Sequence, residues 1–215
     1  MRQWRDAYRA RAMVQSRGEG ELEFTRVVAF SDGVIAIAIT LLVLNLDVPN
    51  VPNGELAEAL GDQWRQYLAF ILSFALIGRF WILHHRAFAL MERFDGTLIV
   101  LNLCFLALIV VMPFATSLIS DYQDDPVCIV VYALVVGLAS LMTWLMVRHS
   151  LRSGHVRAGM QRRAVAAASW RNLTPTILFL VSAPVALLSS GAAFALWLLT
   201  VFPWVRATPA PAEGT

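Results

Sequence analysis

The chain has 215 residues, 58% of them hydrophobic and 15% charged, with a formal net charge of +2 and a mean hydropathy of +0.63. Because soluble domains carry about 25% charged residues, this composition excludes an ordinary soluble protein and predicts an integral membrane protein. The two cysteines, Cys104 and Cys128, lack the spacing of a metal or disulfide motif. We therefore expect both to be small buried hydrophobic residues, and no other pattern predicts a metal site.

The chain begins with a basic segment, residues 1–26, that has no apolar run before Val27. A cleavable signal peptide needs an apolar stretch of about 7–15 residues after its basic start. We therefore expect this segment to remain as a cytoplasmic N-terminal segment of a mature chain that starts near Met1. Its arginines include Arg2, Arg5, Arg9, Arg11 and Arg17.

Apolar stretches of about 20 residues predict helices that cross a bilayer, and the sequence contains six candidates. The first four are expected at 27–46, 66–89, 97–119 and 127–147, and the apolar region 170–205 divides into a fifth and a sixth around residues 189–191. These predict an all-α, polytopic membrane protein with one six-helix domain over residues 27–206. Residues 207–215 have a composition that resists folding, and we expect a disordered tail there.

Basic and acidic connections alternate between the predicted helices. After the N-terminal segment, the basic positions are Arg86, Arg93, Arg148, Arg152, Arg157, Arg162, Arg163 and Arg206. The opposite, acidic connections carry Asp47, Glu55, Glu58, Asp62, Asp121, Asp124 and Asp125, with only Arg65 among them. Because cytoplasmic loops of membrane proteins carry the excess of basic residues, this alternation predicts that both termini are cytoplasmic.

The first predicted helix has two different faces. An α-helix turns about 100° per residue, so Ile37, Thr40, Leu41 and Leu44 share one side, whereas Asp32 points about 140° away from Ile37. Aliphatic residues at helical spacing usually contact a protein core or lipid, so the residues alone favour packing over a pore.

The second predicted helix supplies candidate partners for the aspartate. His84 and His85 lie at about the depth of Asp32, and the indole N–H of Trp81 can reach Ser31 or Asp32. Two interpretations follow, a packing network between helices or a proton relay, and the residues alone favour packing. Arg26 either joins this cluster or reaches the lipid headgroups.

Two segments resemble a known family. The string "RVVAFSDGVIAIAITLLVL" resembles the R-x-x-x-F-S-D signature that opens the first helix of the transmembrane protein 175 family, the lysosomal and endosomal potassium channels and their prokaryotic relatives. The match covers Arg26, Phe30, Ser31 and Asp32 in order. The segment "WILHHRAF" is similar to the Trp-x-x-His segment of the family's second helix.

The resemblance implies a potassium-permeable cation channel, formed as a homotetramer whose first helices line a central pore. It places the pore constriction at Ile37, with Leu41 and Leu44 as further apolar layers, and links Thr40 to ion selectivity. The hydrophobic constriction would serve as gate and filter. The implied structural network contains the signature residues Arg26, Phe30, Ser31, Asp32, Trp81, His84 and His85.

The same resemblance implies potassium ions and the lipid bilayer as partners, no cofactor, no nucleic acid, and a location in the prokaryotic plasma membrane as a multi-pass protein. One departure is Ala36, where two-repeat relatives often carry serine, which implies weaker selectivity for potassium over sodium. The sequence also lacks the TVGYG carbonyl filter of conventional potassium channels.

Two other functions remain open from the sequence. One is a proton-coupled secondary transporter that uses Asp32, His84 and His85, since histidine titrates near neutral pH. The other is a non-conducting membrane scaffold. An enzyme is not expected, because no nucleophile–base pair, metal cluster or phosphate-binding glycine loop is evident.

Overall fold

A computed structural model describes residues 2–122, 125–157, 162–171, 173–189, 191–193 and 196–197. Every regular element in that part of the chain is helical, in agreement with the predicted class. The helices are α1 (Arg2–Leu41), α2 (Leu56–Asp62), α3 (Trp64–Ala89), α4 (Gly96–Asp121), α5 (Pro126–Ser153), α6 (Arg162–Arg171) and α7 (Leu173–Ala186), with a 3₁₀ turn at Leu42–Asn45 after α1.

Four of the described helices are long and apolar enough to cross a bilayer, at Leu22–Asn45, Trp64–Ala89, Gly96–Asp121 and Pro126–Ser153. They correspond in position to the first four predicted spans. In hydrocarbon every backbone N–H and C=O needs a partner within the chain, and a helix provides those partners along its own length. The predicted fifth span corresponds to the shorter helix α7, and most of the predicted sixth span and the tail lie outside the described residues.

Short polar residues set the starts of α4 and α5. Asp95 caps α4 by accepting a hydrogen bond from the Leu98 N–H at 2.8 Å, and Asp125 caps α5 in the same way. Burial raises the pKa of Asp95, but hydrogen bonds from His149 and the Leu98 N–H, together with the charges of His149 and His155, hold it below its ordinary value. The cap is therefore a carboxylate at neutral pH.

Helices α4 and α5 form the centre of the bundle. Helix α4 packs against α1, α3 and α5, and α7 packs against the outer side of α5. Polar side chains join the layers inside the core, where Ser73 of α3 is hydrogen-bonded to Tyr132 of α5 at 2.9 Å and accepts from Thr116 of α4 at 2.8 Å. A buried hydroxyl with a partner costs far less than one without, so these contacts fix how the helices meet.

The connections at one end of the bundle are tied together. Met91, after α3, pairs with Val156, after α5, and the Glu92 N–H donates to the His155 carbonyl at 2.8 Å. At the same end Phe24 of α1 packs against Phe88 and Phe94. This end carries arginines of the predicted basic connections, whereas Asp47 and Gln66 meet at the opposite end.

Gly137 of α5 allows close contact with α7. A Cβ atom at this position would lie 2.7 Å from Leu180 Cδ2 and 2.8 Å from Leu180 Cγ, whereas a Cβ at Gly78 would meet nothing within 4 Å. We therefore expect Gly137→Ala to destabilise the protein by about 1–3 kcal/mol through overpacking, measured by thermal unfolding in detergent. Gly78→Ala is the matched control, and equal unfolding temperatures for the two variants would contradict this packing.

Candidate functional site

The two faces of α1 lie in different environments, as the helical geometry predicts. One face is buried against α3 and α4 and carries Ser31, Ile35, Ala38 and Leu42. The other face is exposed, and the exposed fraction is 62% for Ile37, 41% for Leu41 and 74% for Leu44. Thr40 is exposed on the same side. The candidate site is this open apolar face together with the contacts that orient it.

A chain of three hydrogen bonds holds the buried face, and we call it the Ser31–Asn102–His84 clamp. The Asn102 side chain of α4 donates to Ser31 Oγ at 2.9 Å, and Ser31 Oγ donates to the Val27 carbonyl of α1 at 2.8 Å. On its other side Asn102 Oδ1 lies 2.8 Å from His84 Nε2 of α3. All three side chains of the clamp are buried, so α1, α3 and α4 are joined where no water competes.

The position of Asn102 assigns the proton on His84. Since the Asn102 amide donates to Ser31, its oxygen faces His84 Nε2, which must therefore be the N–H donor. The imidazole ring is stacked between Phe88 and Phe105, at centroid distances of 4.1 and 5.3 Å. The other nitrogen, Nδ1, is buried and has no hydrogen-bond partner among the residues that the structure describes. This arrangement suits a neutral, fixed ring.

A second contact at the same depth involves Asp32. The Trp81 indole N–H donates to Asp32 Oδ1 at 2.9 Å, as the sequence allowed. The expected contact between Asp32 and a histidine is not the hydrogen bond that forms, because His84 turns toward Asn102 instead. His85 is exposed, with its ring 5.9 Å from that of Trp81.

The other end of α1 is also fixed. Asn45, at the close of the 3₁₀ turn, donates to the Pro113 carbonyl of α4 at 2.9 Å. Its own side-chain oxygen accepts from Ser117 Oγ at 2.9 Å. With Ser31 near the start of the span and Asn45 near its end, α1 is held to α4 at two depths, and its rotation about its own axis is restricted.

Two signature residues lie away from the clamp. Arg26 and Phe30 are exposed in the described part of the chain, and Phe30 points within about 20° of Ile37 by helical geometry. The expectation that both cysteines are buried holds for Cys128 but is wrong for Cys104, which is exposed. Cys104 lies on the side of α4 that faces away from the bundle core.

Asn102 and Asn45 are the residues that sequence reasoning missed as parts of this site. Each is an amide side chain within or next to an apolar stretch, and such residues in membrane helices usually hydrogen-bond across helices. That signal was present in the sequence. The partner of each amide depends on how far two neighbouring helices are displaced along one another. The residue composition of the helices does not determine that displacement.

The open face offers limited chemistry. It carries aliphatic side chains and one hydroxyl, and Thr40 Oγ1 donates its proton to the Ile37 carbonyl at 2.8 Å. The oxygen lone pairs of Thr40 therefore remain available to a cation or to water. No ionisable side chain lies on this face between Ile37 and Leu44, so this stretch does not provide a proton relay of its own.

These apolar helices are long enough to span a bilayer, and one of them is held with an apolar face exposed. They define a polytopic helical membrane protein. A family model described as the endosomal/lysosomal potassium channel TMEM175 matches residues 26–113, which contain α1 from Arg26 onward, its clamp partners and the Pro113 anchor. The chain belongs to the TMEM175 family, whose members are ion channels and not enzymes.

Individual relatives agree with this assignment. A potassium channel of Streptomyces collinus is 40% identical over 139 residues, which cover 62% of this chain and 68% of the relative. A crystal structure of a lysosomal potassium-selective channel TMEM175 homolog from Chamaesiphon minutus is 31% identical, with a TM-score of 0.76, and the match covers 87% of this chain and 99% of that one.

Animal relatives match over a shorter region. The endosomal/lysosomal proton channel TMEM175 of Gallus gallus is 39% identical over 108 residues, which are 46% of this chain and 22% of the relative. The chain thus spans about a fifth of that longer protein.

The clamp can be tested by removing its central amide. Asn102→Leu keeps the approximate size of the side chain but removes the hydrogen bonds that Asn102 makes with Ser31 and His84, so we expect a loss of about 1–3 kcal/mol in stability. Thermal unfolding in detergent measures this loss. Cys104→Ala, an exposed position on the same helix, is the control. Equal stability of the two variants would show that the clamp does not fix α1.

Proposed function

We propose that this protein is a potassium-permeable cation channel that conducts passively through a central pore lined by α1. The observation that carries the proposal is the open apolar face of α1, with Ile37, Thr40 and Leu44 pointing out of the subunit. The relatives named potassium channels support potassium as the permeant ion.

The assembly we propose is a homotetramer in a prokaryotic cell membrane. Each subunit would cross the bilayer six times, with both termini in the cytoplasm. The alternation of basic and acidic connections supports this orientation, as does the gathering of the connections after α3 and α5 at one end. Four copies of α1 around an axis would remove the open faces from lipid and turn them toward one another.

The proposed gate and filter is a ring of Ile37 side chains. Aliphatic side chains that meet at an axis form a neck that empties of water when it is narrow, which stops ions without a charged gate. Leu41 and Leu44 would add apolar layers beyond it. The clamp supports this role because such a neck forms only if each α1 keeps the same orientation about its own axis. The hydrogen bonds of Ser31 and Asn45 prevent α1 from turning about that axis.

Thr40 is the proposed selectivity residue. Its hydroxyl proton is engaged by the Ile37 carbonyl, so a ring of four threonines would present oxygen lone pairs to a partly dehydrated cation. Ala36 adds no hydroxyl to the neighbouring layer. We therefore propose a modest preference for potassium over sodium.

The transporter alternative is less well supported. A relay needs groups that exchange protons along a path, but Asp32 is engaged by Trp81, and the bonds of the clamp end at the Val27 carbonyl within α1. His84 lies in a stack of aromatic rings. The contacts of these residues favour a packing network over a proton relay. Ion flux through the proposed channel would then not require a proton gradient. The name of the animal relatives keeps protons as a second permeant ion to be measured.

Ion flux from liposomes tests this function. The purified protein should release potassium passively, and Ile37→Asn should raise the flux several-fold because a polar neck holds water. The matched control is Ile71→Asn on α3, since Ile71 is 60% exposed and Ile37 is 62% exposed. Ile71→Asn should leave the flux unchanged. Repeating the assay with sodium and with protons ranks the permeant ions.

Flux that saturates with substrate or that needs a proton gradient would contradict the channel and favour the carrier. Ion flux no higher than that of empty liposomes, for wild type and for both variants, would favour a non-conducting membrane scaffold. An equal rise in flux for Ile37→Asn and Ile71→Asn would indicate membrane damage and would remove Ile37 from the constriction.

A further inference from the structure

A group of three potential metal ligands lies at the end of the bundle that carries the tied connections. Asp95 precedes α4, His149 is in the last turns of α5, and His155 follows α5. One ligand atom from each lies within 4.8 Å of the other two. Asp95 Oδ2 is 2.7 Å from His149 Nε2 and 3.9 Å from His155 Nδ1. We call these residues the Asp95–His149–His155 cluster.

The backbone around the cluster is firmly held. The His155 N–H donates to the Ser150 carbonyl at 3.0 Å, and the His155 carbonyl accepts from the Glu92 N–H at 2.8 Å. The turn into this position uses Gly154 with a φ of +72°, a left-handed conformation that glycine adopts at little cost. His155 is therefore placed by two hydrogen bonds that do not involve its side chain.

The carboxylate of Asp95 has its two oxygens in different roles. Oδ1 caps α4 through the Leu98 N–H, and Oδ2 faces the histidines. A carboxylate that is oriented by a hydrogen bond on one oxygen is well prepared to bind a metal with the other. The cap would therefore persist in a metal-bound state.

The imidazole of His155 has a nitrogen atom to which no described residue is hydrogen-bonded. This atom, Nδ1, is buried and lies 3.9 Å from Asp95 Oδ2. A buried nitrogen of this kind carries a cost unless something binds it. A hydrogen bond between His155 Nδ1 and Asp95 Oδ2 would need a distance shorter than 3.9 Å. A metal ion between the three ligands could be coordinated by His155 Nδ1 at its present position.

The distances suit a small transition-metal ion. Zinc binds imidazole nitrogen and carboxylate oxygen at about 2.0–2.2 Å in a tetrahedron, which places neighbouring ligand atoms about 3.4 Å apart. The observed pairs at 2.7 and 3.9 Å lie on either side of that value. The shorter pair is the hydrogen bond between His149 and Asp95, which a bound ion would replace as the His149 Nε2 proton leaves. Two imidazoles and one carboxylate disfavour Mg²⁺ and Ca²⁺, which prefer oxygen ligands only.

We propose that the Asp95–His149–His155 cluster binds one Zn²⁺ ion, with a water molecule or another exogenous ligand in the fourth position. The ion would join the start of α4, the end of α5 and the connection after α5. The site is close to the pore helix, because Phe94, next to Asp95, packs against Phe24 of α1 at a centroid distance of 5.6 Å. Bound zinc would thus restrict the motion of the connection before α4, which contacts α1 through Phe94.

The sequence gives no sign of this cluster by spacing. Asp95 is far from the two histidines along the chain, and His149 and His155 fall on either side of the turn at Gly154. The packing of α4 against α5 and the pairing of the two connections bring the three side chains together. The expectation of no metal site rested on local motifs, which cannot detect ligands assembled in this way.

Zinc binding is measured on the full-length protein in detergent, purified with an affinity tag that contains no histidine. We expect one Zn²⁺ per chain by equilibrium dialysis and metal analysis, and a rise in unfolding temperature as Zn²⁺ is added, because a ligand that binds only the folded state stabilises it. Co²⁺ as a spectroscopic probe should give the absorption of a four-coordinate site with nitrogen and oxygen ligands.

Three variants locate the site. Asp95→Asn retains an oxygen for the helix cap but loses the anionic ligand, and His155→Gln removes the unpaired nitrogen, so each should weaken Zn²⁺ binding at least about tenfold. His85→Gln changes an exposed histidine that is not among the three clustered ligands, and this variant should bind Zn²⁺ as wild type does.

Unfolding temperatures measured without zinc show whether each variant is folded. Wild-type protein that binds no stoichiometric Zn²⁺ would overturn the proposal. Binding that Asp95→Asn and His155→Gln leave unchanged would overturn it as well.

Discussion

The structure depends on how α1 is held against α4. The hydrogen bond from Asn102 to Ser31 joins the two helices in the core, and His84 adds α3 to the same contact. In a bilayer, apolar helices gain little from burying their side chains against each other, because lipid tails are as apolar as a leucine. Close packing and polar contacts therefore decide which face of a helix turns inward. Once Ser31 is inside, Ile37 and Leu44 must point outward.

Much of the fold could be predicted from the sequence, since a bilayer permits few alternatives. Four apolar stretches appear as helices of spanning length at the expected places, and the separation between Asp32 and Ile37 follows from the turn per residue of a helix. The partner of His84 could not be predicted, because it depends on the displacement of α3 along α4, which a sequence of apolar residues leaves undetermined. The same limit applies to Asp95 with His149 and His155.

The polar residues within the helices join neighbouring helices at several places in the bundle. Ser73 with Tyr132 and Thr116, Asn45 with Ser117, and the Ser31–Asn102–His84 clamp each connect different helices by side-chain hydrogen bonds. Their positions leave the outer face of α1 free of ionisable groups between Ile37 and Leu44. The two faces of α1 thus have different roles. Its polar contacts fix the helix in the bundle, and its aliphatic residues would form the proposed neck. A channel of this kind needs no buried charge at its narrowest point.

The most direct test asks whether the side chains at position 37 of different subunits meet. In a Cys104→Ala background, where the remaining Cys128 is buried, Ile37→Cys is expressed in membranes and exposed to a mild oxidant. A pore lined by α1 predicts disulfide-linked dimers between subunits for Ile37→Cys. It predicts none for Ile71→Cys, because Ile71 lies on α3, although its exposed fraction is similar to that of Ile37. Monomers only for Ile37→Cys, or equal cross-linking at both positions, would contradict a pore lined by α1.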